Sequence, residues 1–185
     1  VFVFGEYSGR VCLAFLNKGH DAMSCDFLPT EANVPHYQGD GFDVLDNGWD
    51  MLIAHPDCTR LCNSGVRWLH ERNLWTNMEA AAIVFKRLLN WPGIPRKCIE
   101  NPIPHKYALK IIGRKYDQII QPWQFGCPET KATCLWLENL SKLKPTNIVS
   151  GREGRIWKMP PSKNRPKLRS LICQGHADAM AAQWG

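Results

Sequence analysis

No apolar run in this chain approaches the roughly 20 residues that a membrane-spanning helix needs. No pair of its eight cysteines has the C-x-x-C spacing of a zinc site, and Cys58 and Cys62 stand four apart. The zinc-deaminase arrangement, H-x-E followed by P-C-x-x-C, is missing for the same reason. The opening VFVFGEYSGR has no basic segment ahead of its short apolar run. It therefore reads as a strand rather than a signal peptide, and without a starting Met it leaves room for residues upstream. Acids are scarce in one long stretch: residues 142–169 hold nine Lys or Arg and a single acid, Glu153.

What is present is ordinary for a globular domain. The 185 residues, 44% apolar and 22% charged, suffice for one core. The cysteines, at 12, 25, 58, 62, 98, 127, 134 and 173, are scattered and mostly inside apolar strand-like runs. That distribution reads as reduced, buried thiols of a cytoplasmic protein. The formal charge of +6 is concentrated in the basic stretch, which also carries Pro145, Pro160, Pro161 and Pro166. It reads as an irregular loop, either solvated surface or a phosphate-contacting segment, because clustered cations gain affinity for polyanions by releasing counterions.

Short apolar strands alternate with helices along the chain. VFVFG (1–5), AMSCD (22–26), WDMLIAH (49–55), KCIEN (97–101), QIIQ (118–121) and TCLWL (133–137) read as strands. RVCLAFLNKG reads as a helix stopped by Gly19, HKYALKII as a short helix and GHADAMAAQWG as a closing helix. TNMEAAAIVFKRLLN (76–90) is the clearest helix, with Thr76 and Glu79 as a capping box and Pro92 past its end. The alternation predicts an α/β fold with a mainly parallel sheet. In such sheets ligands bind outside the carboxyl ends of the strands. Glu6, Asp26, Asp40, Cys58 and Glu100 all fall at those ends. A buried structural cysteine would sit inside the apolar run, but Cys58, in HPDCTRLCNSG, sits just past it.

The order of FGEYSGRVCLAFLNKGH, SCD, QGDGFDVL, DMLIAHPDCTRLCNSG, IENP and FGCPETKATCLWL resembles that of the cytosine-specific carbon-5 DNA methyltransferases. It is most similar to their short phage and prophage branch, which lacks a large target-recognition domain, and the likeness runs from about residue 3 to the C-terminus. The resemblance implies a Rossmann-like methyltransferase fold over 1–185, with helices on both faces of the sheet and 139–172 as a basic loop in place of a recognition domain. It also implies S-adenosylmethionine as cofactor, DNA as substrate with a separate specificity partner, and the cytoplasm of a bacterial or phage-infected cell. By the same resemblance Phe4, Glu6, Tyr7, Ser8, Gly9, Asp26, Phe27, Asp40, Gly41 and Pro56 would line the cofactor pocket. Gln174 and Gly175 would lie near its methionine end. Asp26 would hold the ribose hydroxyls, and the turn before the first helix would offer backbone amides to the carboxylate.

In that family the cysteine of Pro-Pro-Cys is the nucleophile, which here is Cys58, with Asp57 in place of the second proline. Thiolate addition at carbon-6 makes carbon-5 of cytosine an enamine carbon able to attack a methyl sulfonium. The acid beside the thiol is expected to disfavour the thiolate. Glu100, from IENP, would hydrogen-bond ring nitrogen 3 of the target base. Phe-Gly-x-Pro survives as Phe125, Gly126 and Pro128, while Glu129, Lys131 and Thr133 replace the family's Gln and two Arg. Lys131 would supply charge without a bidentate fork. Lys163, Arg165, Lys167 and Arg169 would contact phosphate, and Arg67 and Lys106 are either phosphate contacts or solvated surface. Trp68 and Trp123 are candidate stacking platforms, and His55 is a packing residue or one that orients the nucleophile. Free cytosine nucleotide remains open as a substrate, as does a degenerate protein that binds without turnover.

Overall fold

Alternate residues along each central strand face two different helix layers. In β1 (Phe2–Phe4) and β4 (Met51–Ala54), Phe2, Leu52 and Ala54 join one core while Val3, Met51 and Ile53 join the other. β5 (Arg96–Pro102) and β7 (Thr133–Glu138) divide the same way, with Ile99, Cys134 and Trp136 on the first side and Cys98, Leu135 and Leu137 on the second. A strand buried on both faces has no polar side, so these segments run as continuous apolar stretches. The computed structural model describes residues 1–185. Its remaining strands are β2 (Met23–Asp26), β3 (His36–Gln38) and β6 (Gln118–Ile120).

α1 (Arg10–Leu16) and α7 (Gln174–Trp184) pack on one face of the sheet. α2 (Val66–Glu71), α3 (Trp75–Leu89) and α4 (Lys106–Ile112) pack on the other. On that second face Phe85 meets the buried Trp136 edge-on, ring centroids 4.8 Å apart, and the indole N–H donates to the Arg114 carbonyl at 3.0 Å. Phe85 is fully buried. Phe85→Ala is therefore expected to cost about 3–5 kcal/mol, read from urea denaturation, through lost transfer energy and the cavity left against Trp136. A loss below about 1 kcal/mol would mean the layer repacks around the gap.

The seven strands run in the order β3-β2-β1-β4-β5-β7-β6. The β1–β2, β1–β4, β2–β3 and β4–β5 pairs are parallel, and β7 is antiparallel to both β5 and β6. The expected mainly parallel α/β sheet is thus present, with one reversed strand that an apolar run cannot announce. The order changes direction between β1 and β4. At such a point the flanking connections leave to opposite faces and open a crevice beyond the strand ends.

Two local expectations differ. α3 begins at Trp75, capped by Leu74, and no side chain makes a capping bond, so the Thr76–Glu79 box does not form. The entry is set instead by aromatic packing of Trp75 against His70 at 4.8 Å and Tyr107 at 5.0 Å. The basic stretch 139–172, read as irregular, carries two short helices, α5 (Arg155–Lys158) and α6 (Arg165–Ser170).

Candidate active site

The strand register brings the site together. Phe4 pairs with Ala54, and Ala54 with Ile99, so Gly5, His55 and Glu100 are the next residues on three neighbouring strands. Gly5 has φ of 72°, and a Cβ there would lie 2.5 Å from the His55 carbonyl oxygen. Only glycine allows both this left-handed turn and so close an approach. The His55 amide donates to the Phe4 carbonyl at 2.8 Å, which fixes the ring's origin.

His55 Nδ1 stands 3.1 Å from Glu100 Oε2, with side-chain exposures of 18% and 12%. The contact is an ion pair poorly aligned for a hydrogen bond, since Oε2 is left without a well-directed donor and His55 Nε2 is buried without a partner. Burial alone would raise the Glu100 pKa, but the opposing charge of His55, helped by His176 and Lys131, holds it down at about 2. Burial likewise pulls the His55 imidazole down, and the Glu100 carboxylate outweighs it and raises it. The His55 charge thus favours Glu100 as a carboxylate in the resting protein.

Cys58 lies three residues beyond His55, half-buried in the loop that follows β4. Its carbonyl accepts from the amides of Leu61 at 3.0 Å and Cys62 at 3.3 Å, so the loop closes into a turn at Cys58. That loop is tied to the end of β5: the Asn63 amide donates to the Ile103 carbonyl at 2.8 Å and the His105 amide to the Leu61 carbonyl at 3.1 Å. Burial, then the charges of Cys62 and Asp57, push the Cys58 thiol up to about 12, with Lys131 opposing and the charge of Glu100 adding to the rise. The unfavourable acid foreseen in the sequence thus acts, though burial acts more. Asp57 Oδ1 itself accepts from the amide and hydroxyl of Thr59.

A small cavity beside Glu100 is lined by Gln121, Lys131, Thr133, Cys173 and His176. The Lys131 amide donates to Gln121 Oε1 at 3.0 Å and its Nζ to the Leu171 carbonyl at 3.2 Å. His176, on α7, was not singled out in the sequence. It is 5% exposed, stacks on Phe125 with centroids 5.3 Å apart, and leaves Nε2 buried without a partner. Burial, with the charges of His55 and Lys131, lowers its pKa to about 4 despite Glu100, so it is neutral near pH 7. A wider surface concavity at the opposite end of β5, lined by Trp91, Lys97 and Glu138, holds no nucleophile, and its lysine is tied to Glu138 and the Trp91 carbonyl.

Gly175 accounts for how α7 reaches this cavity. A Cβ there would sit 1.9 Å from the Phe125 carbonyl oxygen, so the helix start lies directly on the Phe-Gly-Cys-Pro turn. That packing brings Cys127 and Cys173 together in a disulfide across 46 residues, and the reading of all eight cysteines as reduced is corrected here. Neither lies within a strand or helix, unlike the buried free thiols Cys12, Cys25, Cys98 and Cys134. The thiol argument for a cytoplasmic location therefore no longer holds. No helix is long and apolar enough to cross a membrane.

The residues expected around a cofactor fall into two groups. Glu6 is buried, and its carboxylate accepts from the amides of Val11 at 2.7 Å and Cys12 at 3.1 Å. The first turn of α1 is thus capped by the protein's own acid, and those amides are not free for a ligand's carboxylate, contrary to expectation. Ser8 donates to Glu6 at 3.2 Å, Tyr7 is buried with its hydroxyl on the Lys167 carbonyl at 2.7 Å, and a Cβ on Gly9 would meet Ala32 at 2.6 Å. These three serve the fold. Asp26 and Asp40 each use only Oδ1, on the amides of Leu28 at 2.9 Å and Phe42 at 3.0 Å. Phe27 beside them is 73% exposed. Phe4 packs on Phe42 at 5.4 Å, the buried Gly41 lies against Phe4, and Pro56 is buried. Gln174 is exposed, its amide donating to Asp178 at 2.9 Å along α7.

The basic segment is fastened to the same edge. Arg10 Nη1 donates to the Ile172 carbonyl at 2.5 Å, Tyr7 holds Lys167, and Arg155 forks onto Glu129 at 2.5 and 3.0 Å. Lys163 is exposed, Lys167 pairs with Glu31, Arg169 is partly exposed, and Arg165 has a buried Nε without a partner. Trp68 is covered by Arg67 and Arg72 at 4.3 and 4.2 Å, and Trp123 by Arg152 at 3.8 Å, so neither ring is a bare stacking platform. Lys106 lies over Tyr107 at 5.2 Å.

No family model matches this chain, and no curated protein matches it. Among solved structures it is similar to the crystal structure of a candidate DNA modification methyltransferase encoded within a prophage in E. coli, at 16% identity and a TM-score of 0.49. The match covers 80% of this chain and 52% of the other, so this chain spans about half the length of that protein.

Proposed function

We propose that the protein methylates carbon-5 of cytosine, most directly in DNA, from S-adenosylmethionine through a covalent Cys58 adduct. The observation that carries this is the placement of Cys58, in the loop that follows β4, beyond the strand ends where β4 and β5 bring His55 and Glu100 within 3.1 Å at the crevice of a mainly parallel sheet. The flipped base would enter beside Glu100, Lys131 and His176.

The cofactor fits in part. Asp26 and Asp40 each keep one carboxylate oxygen free of protein donors, and the exposed Phe27 lies next to Asp26. These are groups suited to ribose hydroxyls and an aromatic base. The α1 amides, already taken by Glu6, do not serve. When bound, S-adenosylmethionine supplies an electrophilic methyl group. Cys58 loses its thiol proton to solvent and its sulfur bonds carbon-6. The ring's electrons move toward nitrogen 3, which takes a proton at Glu100. After carbon-5 is methylated its proton leaves to solvent, the sulfur–carbon bond breaks and the thiolate is released.

Asp26→Ala is expected to weaken S-adenosylmethionine binding by about tenfold or more in calorimetry, the loss of a charge-assisted hydrogen bond. Unchanged affinity would move the ribose elsewhere. Duplex DNA, RNA and dCMP offered in parallel with methyl-labelled cofactor test the substrate, and label on cytosine carbon-5 in one of them identifies it. A second reading, cofactor or nucleic-acid binding without turnover, is favoured by the high pKa of the buried Cys58 thiol. It predicts binding with no label transferred.

A further inference from the structure

Donation to ring nitrogen 3 requires a proton that Glu100 does not itself hold in the resting protein. His55 Nδ1 stands 3.1 Å from its Oε2. We infer that His55 is a positioning residue that stores the proton Glu100 delivers, so that the two side chains act as one acid: imidazolium and carboxylate at rest, imidazole and carboxylate once the base is protonated. The inference rests on the proposed cytosine methylation.

The geometry restricts the ring to this role. The backbone of His55 is fixed by its amide bond to Phe4 and by the close approach of Gly5 to its carbonyl. Pro56 follows directly. Nε2 is buried without a partner, so Nδ1 is the ring atom with a polar neighbour.

The other titratable groups facing the pair are differently occupied. Glu6, from the end of β1, caps α1. Lys131, ahead of β7, gives its ammonium to the Leu171 carbonyl. His176, from α7, is neutral near pH 7, and the thiols of Cys58, Cys98 and Cys134 are raised by burial. The raised pKa of His55 agrees with an imidazolium that persists beside the carboxylate.

As the Cys58 sulfur bonds carbon-6 and ring electrons move toward nitrogen 3, the His55 Nδ1 proton passes to the Glu100 carboxylate and from it to nitrogen 3, which leaves imidazole and carboxylate behind. On collapse nitrogen 3 returns its proton to the carboxylate, the imidazole recovers it, and the electrons of the sulfur–carbon bond return to sulfur.

The test is single-turnover methyl transfer to cytosine-containing duplex DNA from about pH 6 to about 9, the window in which histidine titrates. The thiol must lose a proton and the imidazole must keep one. The wild-type rate therefore rises with pH while His55 is charged and levels off as His55 titrates. In His55→Gln only Glu100's own protonation remains, and without the His55 charge burial moves it upward, so the bend no longer falls where His55 titrates. The variant's rate is then about tenfold or more below wild type at pH 7, and its profile bends at a different pH. A variant with the same bend and a rate within about twofold of wild type overturns the inference while leaving the methyltransferase reading intact. If the variant does not fold, a wild-type profile without a bend overturns the inference by itself. No transfer by wild type overturns the reading beneath it and the inference together.

Discussion

Cys58→Ala is expected to reduce methyl transfer to background while leaving S-adenosylmethionine affinity and the melting transition unchanged. The sulfur has no hydrogen-bond partner in the protein, and the loop is closed by the Cys58 carbonyl, which the substitution retains. Removing it therefore strands no buried polar group, and the loss reports chemistry rather than folding. With its thiol pushed up to about 12 by burial, Cys58 at rest is held as the thiol at pH 7. The rate should accordingly climb with pH wherever thiolate formation limits it. Cys62→Ala is the control. Cys62 stands in the same turn, 3.3 Å from the Ser64 hydroxyl, and its loss is expected to leave transfer within about twofold. Retained activity in Cys58→Ala with loss in Cys62→Ala would assign the nucleophile to the other thiol.

Neutralising Lys163, Arg165, Lys167 and Arg169 together is expected to weaken binding to duplex DNA and to flatten its salt dependence. Each phosphate contact removed lowers the slope of log K against log salt by about 0.9. Lys167 is already paired with Glu31, so the four changes should reduce the slope by about 3 rather than the full complement. The segment is held over the strand ends by Tyr7, Arg10 and Glu129 through contacts independent of those four charged groups, one of them the Lys167 carbonyl rather than its ammonium. Its position should therefore survive the substitution. Fluorescence anisotropy across a salt series reads the result, and an unchanged slope would remove the segment from the interface. Phosphate contacts of this kind position a duplex without reading its sequence.

The parallel core was legible because strands buried on both faces leave long apolar runs, and the polar residues that end them stand out. The strand-end placement of Asp26, Cys58 and Glu100 followed from the same contrast. Partnership across strands was not legible. His55 and Glu100 meet only because β4 and β5 are in register, and 45 residues separate them in the chain. Glu6 looked like a ligand contact, but the tight turn at Gly5 returns its carboxylate onto the start of α1. The Cys127–Cys173 bond leaves no mark on the local sequence around either cysteine, because it depends on α7 docking against Phe125. His176 gave no signal within a helix of small residues, since its burial comes from the same docking.

The most direct test of the account uses duplex DNA whose cytosines carry fluorine at carbon-5. Fluorine does not leave as a proton, so after methylation the sulfur–carbon bond cannot be released and the adduct accumulates. With S-adenosylmethionine present, wild type is expected to give a denaturation-resistant protein–DNA complex, with the peptide containing Cys58 carrying the modified base, and Cys58→Ala none. Methylation of ordinary cytosine by a protein that forms no such complex, or a complex mapped to another residue, would contradict it.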